Sequence, residues 1–211
     1  MSAIHPAGQY PKNRTEAFTD GVLAIVITLL VLELGVAAGS EDDLLQAIFD
    51  QWPSYLAYFT SFFTVGAFWL RHHAITNAMA AVDGGFIRLN LLAIFFLSFL
   101  PFPTKLVAEF LETEDATRVA VVFYGILLFL AAVSFRLLWL HVARNRELLE
   151  PETTDERVRE LSESLTPSMV GYVVAILVGL VLPHLAVALY FVLAVLIALP
   201  IGTLRAALRN D

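Results

Sequence analysis

The stretch from Arg14 to Glu33, RTEAFTDGVLAIVITLLVLE, decides the fold. Between Asp20 and Glu33 its only polar side chain is that of Thr28. A helix that is apolar on every side either crosses a membrane or lies fully buried in a protein core. The stretch therefore predicts a helix, and the rest of the chain has to decide between lipid and protein as its surroundings.

The composition favours the membrane. Of the 211 residues, 58% are hydrophobic and 16% are charged, and the mean hydropathy is +0.74, whereas a soluble domain has about 25% charged residues. The net charge of -7 argues against a nucleic-acid partner, which needs a basic face. The absence of cysteine excludes disulfides, thiolate metal sites and thiol nucleophiles. We predict an all-α integral protein of the lipid bilayer.

Apolar runs predict six transmembrane helices in one domain that covers residues 1–211. The predicted spans are about 16–36, 52–74, 86–102, 117–140, 167–182 and 185–204. Residues 1–13 are expected to form a mobile tail, and residues 147–164 a solvated loop with a short helix. Pro101 and Pro103 should kink or end the third span. The first span is expected to remain as an anchor and not to be a cleaved secretory signal.

The basic residues orient these spans. Lys105 and Arg118 fall on one side of the predicted layout, and the other 11 of the 13 Lys and Arg residues fall on the opposite side. Basic residues near span ends gather in the cytoplasm. We therefore expect a multi-pass protein of the cell membrane with both termini cytoplasmic. The acidic outer loops would concentrate cations.

One stripe on the first span indicates a possible pore. At helical spacing it contains Phe18, Gly21 or Val22, Ile25, Thr28 or Leu29, and Leu32. Symmetric copies would meet as apolar rings that gate an ion path, although ordinary packing against lipid or another helix explains the same spacing. A secondary transporter of a cation or small solute is the alternative, but the halves share no obvious repeat. Scattered acid and base candidates argue against an enzyme.

The start of the stretch also resembles a known family. Arg14, Phe18, Thr19 and Asp20 are similar to the R-x-x-x-F-S-D motif that opens the first helix of the transmembrane protein 175 potassium channels, of endolysosomal and prokaryotic type, with Thr19 in place of serine. Two further segments resemble the prokaryotic members in order and spacing, FWLRHHAI and RLNLLAIFFLSFLPF. The resemblance implies a homotetramer with one six-span repeat per chain, in which the first helices line a potassium pore.

The same resemblance assigns pore residues. It places the principal hydrophobic constriction on Ile25, the neighbouring threonine on Thr28, and further apolar rings on Leu29 and Leu32. The sequence has no TVGYG-like loop, so a filter of backbone carbonyls is not expected. Selectivity should be modest, because an apolar neck discriminates by dehydration cost and potassium is less strongly hydrated than sodium. Whether Thr28 faces the axis or an adjacent helix stays open.

The motif residues are expected to support the pore helix. Arg14 and Asp20 are six residues apart and do not share a helix face, so each should pair with another helix or a neighbouring subunit. At the same cytoplasmic level lie Trp69, His72 and His73 of the second span and Asn77 just after it. We expect Thr19 and Asp20 to hydrogen-bond to this group, as the resemblance also implies. The alternative is that they merely cap a helix N-terminus.

The remaining polar residues of the spans carry weaker signals. His72 and His73 point about 100° apart on a helix and have no third ligand spaced nearby, so neither a metal nor another cofactor is predicted. Asn90 should hydrogen-bond between helices. Glu33 either faces the outer vestibule or pairs locally.

Overall fold

The computed structural model describes residues 8–35 and 43–198. In this part of the chain the fold is helical, with one pair of two-residue strands. The strands are β1 (Gln9–Tyr10) and β2 (Val82–Asp83). The helices are α1 (Asn13–Leu30), α2 (Leu44–Asp50), α3 (Trp52–Asn77), α4 (Gly84–Ser98), α5 (Pro101–Phe110), α6 (Glu114–Arg144), α7 (Asp155–Gly179) and α8 (Pro183–Ala198). Two 3-10 turns, Val31–Glu33 and Arg146–Leu148, follow α1 and α6.

Four segments of the described chain are long and apolar enough to cross a membrane. They are Asn13–Glu33, Gly84–Phe110, Asp115–Arg144 and Asp155–Gly179. α8 is apolar but shorter, and α3 has 26 residues with several hydroxyl side chains among its aromatic ones. α6 is the central helix, since 56% of its apolar window is buried. The fold is therefore a bundle of membrane-spanning helices.

The third predicted span is longer in the structure. α4 ends at Ser98 and α5 begins at Pro101, where proline suits a first turn that needs no backbone donor. Backbone hydrogen bonds continue across the junction, from Leu100 N to Leu97 O and from Phe102 N to Phe99 O. Lys105 and Glu109, predicted in a loop, therefore lie on α5.

The fifth predicted span also begins earlier, because α7 runs through Pro167. The Thr154 hydroxyl caps α7 by accepting a hydrogen bond from Arg157 N. The predicted loop is thus helical from Asp155 onward, with a buried stripe at Val158, Leu161 and Leu165. In the sixth predicted span, residues 185–198 belong to α8, and residues 199–204 lie outside the described chain, as does residue 36 of the first.

Helix directions divide the connections between two ends of the bundle. The near end holds β1, β2 and the α3–α4 and α6–α7 connections, where Ala80 N donates to Leu148 O. The far end holds the end of α1, α2, the α5–α6 connection and the α7–α8 turn. There His184 Nε2 contacts Leu111 O at 2.8 Å. Between the ends, a Cβ at Gly125 of α6 would overlap the Tyr190 hydroxyl of α8, so the missing side chain permits close helix packing.

The residues before α1 form a strap at the near end. β1 pairs with β2 in antiparallel register. Lys12 Nζ donates to Thr76 O at 2.9 Å and to Met79 O at 2.5 Å, and it lies 3.8 Å from Glu150 Oε1. The expected mobile tail is therefore ordered structure from residue 8 onward, because Lys12 and β1 supply partners for backbone groups of the α3–α4 connection.

Asp83 joins three elements at the near end. From β2 its carboxylate accepts a hydrogen bond from Phe86 N of α4 at 2.7 Å and contacts His141 Nε2 of α6 at 2.9 and 3.0 Å. Gly85 must stay small, because a Cβ there would overlap the His141 ring. Burial raises the pKa of Asp83, but the hydrogen bonds from Phe86 N and His141 and the His141 charge hold that pKa below its ordinary value of 3.8.

Asp83→Asn is expected to lower thermal stability at neutral pH and to weaken its acid dependence. A carboxylate whose folded pKa is depressed stabilises the fold above its unfolded pKa, and this contribution is lost as the pH falls through the folded pKa. Melting temperatures measured from about pH 7 down to about pH 3 should therefore converge for variant and wild type at the acid end. A difference that stays constant across this range would contradict the assignment.

Candidate pore helix and its supporting network

One face of α1 packs inside the protomer. Its buried residues are Thr19, Leu23, Val26 and Leu30. They recur at intervals of four, three and four residues, which places them on a single helix face. Through this face α1 contacts α3, α4 and α5. The packing fixes which side of α1 remains open.

The open side of α1 carries large apolar residues. The exposed fractions are 53% for Phe18, 60% for Ile25 and 41% for Leu29, and 72% for Leu32 in the 3-10 turn that follows α1. Thr28 is also exposed, and its hydroxyl donates to Ile25 O at 2.8 Å. Because a hydroxyl that donates one hydrogen bond keeps acceptor lone pairs, the Thr28 oxygen can still meet a cation or water. Within the protomer, then, Thr28 lies on the open side of α1.

Small residues lie beside this apolar stripe. Ala17, Gly21, Ala24 and Thr28 are all exposed and recur three or four residues apart. Small side chains at this spacing let a second helix approach closely in a membrane. The open side of α1 thus combines a surface suited to another helix with a row of bulky apolar groups.

A buried hydrogen-bond chain links α1 to α3 through α4. Asn90 Nδ2 donates to Thr19 Oγ1 at 2.7 Å, and His72 Nε2 lies 3.1 Å from Asn90 Oδ1. The three residues are at most 1% exposed. An amide oxygen only accepts, so His72 Nε2 carries the proton in this arrangement. Satisfied polar groups at such depth fix the position of α1 against both neighbours.

A second chain of contacts runs along the surface between α1 and α3. Trp69 Nε1 donates to Asp20 Oδ1 at 3.0 Å. The Trp69 ring stacks on His73 with a centroid separation of 5.7 Å, and His73 Nε2 lies 3.0 Å from Asn77 Nδ2. Asp20 and the polar end of α3 are therefore connected, as the buried chain connects Thr19 with His72.

Thr19 and Asp20 do not cap α1. The helix begins at Asn13, with Lys12 in the capping position, so both lie well inside it. Asn90, expected only to hydrogen-bond between helices, is the bridge of the buried chain. In the sequence, Asn90 is an isolated amide within an apolar span, and this was the signal that could have indicated its bridging role.

Arg14 and Phe18 stand apart from these contacts. In the part of the protomer that the structure describes, the Arg14 side chain forms neither an ion pair nor a hydrogen bond. Both residues line an open groove of about 400 Å³ that also reaches Tyr10 and Leu91.

The far end is acidic. Glu33 pairs with Lys105 at 3.7 Å, and Lys105 also lies 3.8 Å from Glu109. These residues line an open cavity of about 410 Å³ together with Asp50 and Glu112. Glu33 therefore pairs with Lys105 and also lines this cavity, in which carboxylates outnumber the Lys105 ammonium group.

The two adjacent histidines turn to different partners, His72 to Asn90 and His73 to Asn77. No group of three His, Asp or Glu residues is placed to hold a metal in the described ranges. The contacts of both histidines are thus with asparagine side chains.

Comparison with known proteins places this arrangement in a family. Residues 14–101 match the model of the endosomal/lysosomal potassium channel TMEM175. A potassium channel of Streptomyces collinus is 35% identical over 86% of this chain and 89% of its own length. A potassium channel of Chamaesiphon minutus is 38% identical over 90% and 95%. The chicken endosomal/lysosomal proton channel TMEM175 is 33% identical, and the match spans 30% of that longer protein.

Solved structures agree with this assignment. The crystal structure of a lysosomal potassium-selective channel TMEM175 homolog from Chamaesiphon minutus superposes with a TM-score of 0.80 and 36% identity, covering 89% of this chain and 96% of that one. The potassium channel MtTMEM175, at 19% identity, has the same fold with a TM-score of 0.65. The relatives that match along their length are channels and not enzymes. This chain belongs to the TMEM175 channel family.

Proposed function

We propose that this protein is a potassium channel of the cell membrane, built from four copies whose α1 helices line a central pore. The observation that carries the proposal is the exposed apolar stripe formed by Phe18, Ile25 and Leu29 of α1 and Leu32 of the turn that follows it. In a family of channels, such a stripe on the helix that carries the family motif is best explained by a shared ion path.

The helix directions support six crossings. α1, α3, the α4–α5 pair, α6, α7 and α8 alternate between the near and far ends. With the first crossing starting at the near end, six crossings return the chain to that end. Most basic residues lie toward it, so we place the near end and both termini in the cytoplasm. The acidic far end then faces outward and attracts cations.

The burial of α1 supports assembly. The apolar window of Asn13–Glu33 is 22% buried within the chain, which is the lowest value of the four long segments; the others are 28% for Asp155–Gly179, 39% for Gly84–Phe110 and 56% for Asp115–Arg144. A neighbouring subunit can cover part of the remainder, because the small residues at Ala17, Gly21 and Ala24 permit close contact. Arg14 is placed to pair across the same boundary.

Conduction through this pore depends on dehydration at an apolar constriction. Rings of Ile25, Leu29 and Leu32 let an ion pass when the ion sheds its water or when the ring widens. Potassium pays less than sodium to shed water, which gives a modest preference. The acceptor lone pairs of Thr28 stabilise the ion or its remaining water next to the ring. The contacts of Thr19 and Asp20 hold α1 at the distance from the pore axis that these rings require.

Reconstitution into liposomes tests the proposal. We expect a passive potassium current whose reversal potential follows the potassium gradient more closely than the sodium gradient. Absence of current under every gradient would refute a channel. Saturable flux that requires the gradient of a second solute would favour the secondary transporter.

A further inference from the structure

A groove between α3, α7 and α8 is lined by none of the residues assigned to the proposed pore. Its volume is about 480 Å³ and it is open to the surroundings. Arg71 of α3 and Ser164 and Ser168 of α7 form its polar wall, and α8 forms an apolar wall of Leu193, Leu196 and Ile197. The groove therefore has a cationic side and a hydrocarbon side.

The guanidinium of Arg71 lacks a carboxylate partner in the described part of the chain. Its Nη1 donates to Ser168 Oγ at 2.8 Å and its Nη2 contacts Ser164 O at 3.4 Å. Because arginine has five N–H donors, others remain for an anion. A cation in largely apolar surroundings is stabilised by a counter-charge that hydrogen-bonds to it.

The two serines do not compete for that anion. Ser168 Oγ donates to Leu165 O at 2.9 Å, and Ser164 Oγ donates to Leu161 O at 2.8 Å. Their hydroxyl hydrogens are thus used within α7. The Ser168 hydroxyl oxygen accepts a hydrogen bond from Arg71 and so orients the guanidinium. The guanidinium is then the group that recognises a negative charge.

The depth of the groove indicates what kind of anion fits. Arg71 precedes the end of α3 at Asn77 by six residues, about 9 Å of helix rise, which places it near the polar boundary at the near end. Leu196 is 49% exposed on the apolar wall. A small ion would leave this wall uncovered, whereas a molecule with an anionic head and a hydrocarbon chain covers both walls.

We propose that this groove binds an anionic phospholipid from the leaflet at the near end. The headgroup phosphate accepts hydrogen bonds from Arg71, and an acyl chain lies along Leu193, Leu196 and Ile197. Basic pockets between membrane helices recognise lipid headgroups in this way. The site lies away from the α1 stripe, so its occupancy does not depend on which ion the protein conducts.

Native mass spectrometry of delipidated protein titrated with phosphatidylglycerol or phosphatidylcholine tests the site. We expect the wild type to prefer phosphatidylglycerol and Arg71→Gln to bind it about tenfold more weakly, as expected for loss of a hydrogen bond to a charged group. Arg144→Gln is the matched control, since it removes an exposed charge at the same end. Leu196→Trp should fill the groove and weaken binding with Arg71 intact, which keeps the test valid if Arg71→Gln does not fold.

Three results would overturn the proposal. One is equal affinity of the wild type for both lipids. Another is phosphatidylglycerol binding that stays unchanged in Leu196→Trp, if Arg71→Gln also binds as the wild type does or fails to fold. The third is displacement of the lipid by millimolar inorganic phosphate, which would assign the site to a free anion.

Discussion

Replacement of Ile25 by Asn is expected to raise potassium conductance in liposomes about tenfold and to reduce the preference for potassium over sodium. A ring of isoleucine side chains forces a passing ion to give up water without replacing it. Asparagine amides supply oxygen and hold water in the ring, so the barrier falls, and a decrease of about 1.4 kcal/mol corresponds to tenfold. Conductance and reversal potential under opposed potassium and sodium gradients measure both effects.

Ile25→Val is the control for this experiment. It keeps an apolar, β-branched side chain at the same position, so the dehydration barrier should change much less than in the asparagine variant. If Ile25→Asn conducts and selects as the wild type does, Ile25 is not the constriction, and the assignment of the neck to this ring fails.

Asn90→Leu is expected to cause the second large effect, a loss of about 2–3 kcal/mol of stability. Leucine is close to asparagine in size but offers no hydrogen bond, so the buried His72 Nε2 loses its acceptor and Thr19 Oγ1 loses a donor. A buried polar group without its partner bears the full cost of its lost hydration. The melting temperature in detergent should fall by roughly 4–12 °C.

Asn77→Leu provides the matched comparison. The substitution is the same, but Asn77 is exposed and its contact with His73 lies at the surface. Its effect should stay within about 0.5 kcal/mol. Equal melting temperatures for the two variants would show that the buried chain through Asn90 does not hold α1 in place.

The first span shows how far the sequence alone leads. Uninterrupted apolar residues after Asp20 predict the helix, and the intervals between Ile25, Leu29 and Leu32 predict that they share a face. Periodicity cannot say which face is buried, because Leu23, Val26 and Leu30 are equally apolar. Packing against α3 and α4 decides this, and it leaves the Ile25 side open.

Other features depend on contacts between distant residues. The α4–α5 segment continues past its prolines because Pro101 stands in the first turn of α5, where its missing backbone donor is not needed. The charged residues after Asp155 indicate a loop by composition, yet their apolar neighbours Val158 and Leu161 face the bundle and extend α7. Lys12 finds its carbonyl partners more than 60 residues away, a contact that no local pattern predicts.

Cysteine substitution tests whether the open face of α1 lines the ion path, since the sequence contains no cysteine of its own. Ile25→Cys would place one thiol per subunit around the proposed neck, whereas Phe95→Cys places a thiol on α4 at a site that is likewise 60% exposed. We expect cadmium to block potassium flux through Ile25→Cys, a chelator to restore that flux, and Phe95→Cys and the wild type to be unaffected. Potassium flux through Ile25→Cys that is insensitive to cadmium would show that this face of α1 does not line the ion path.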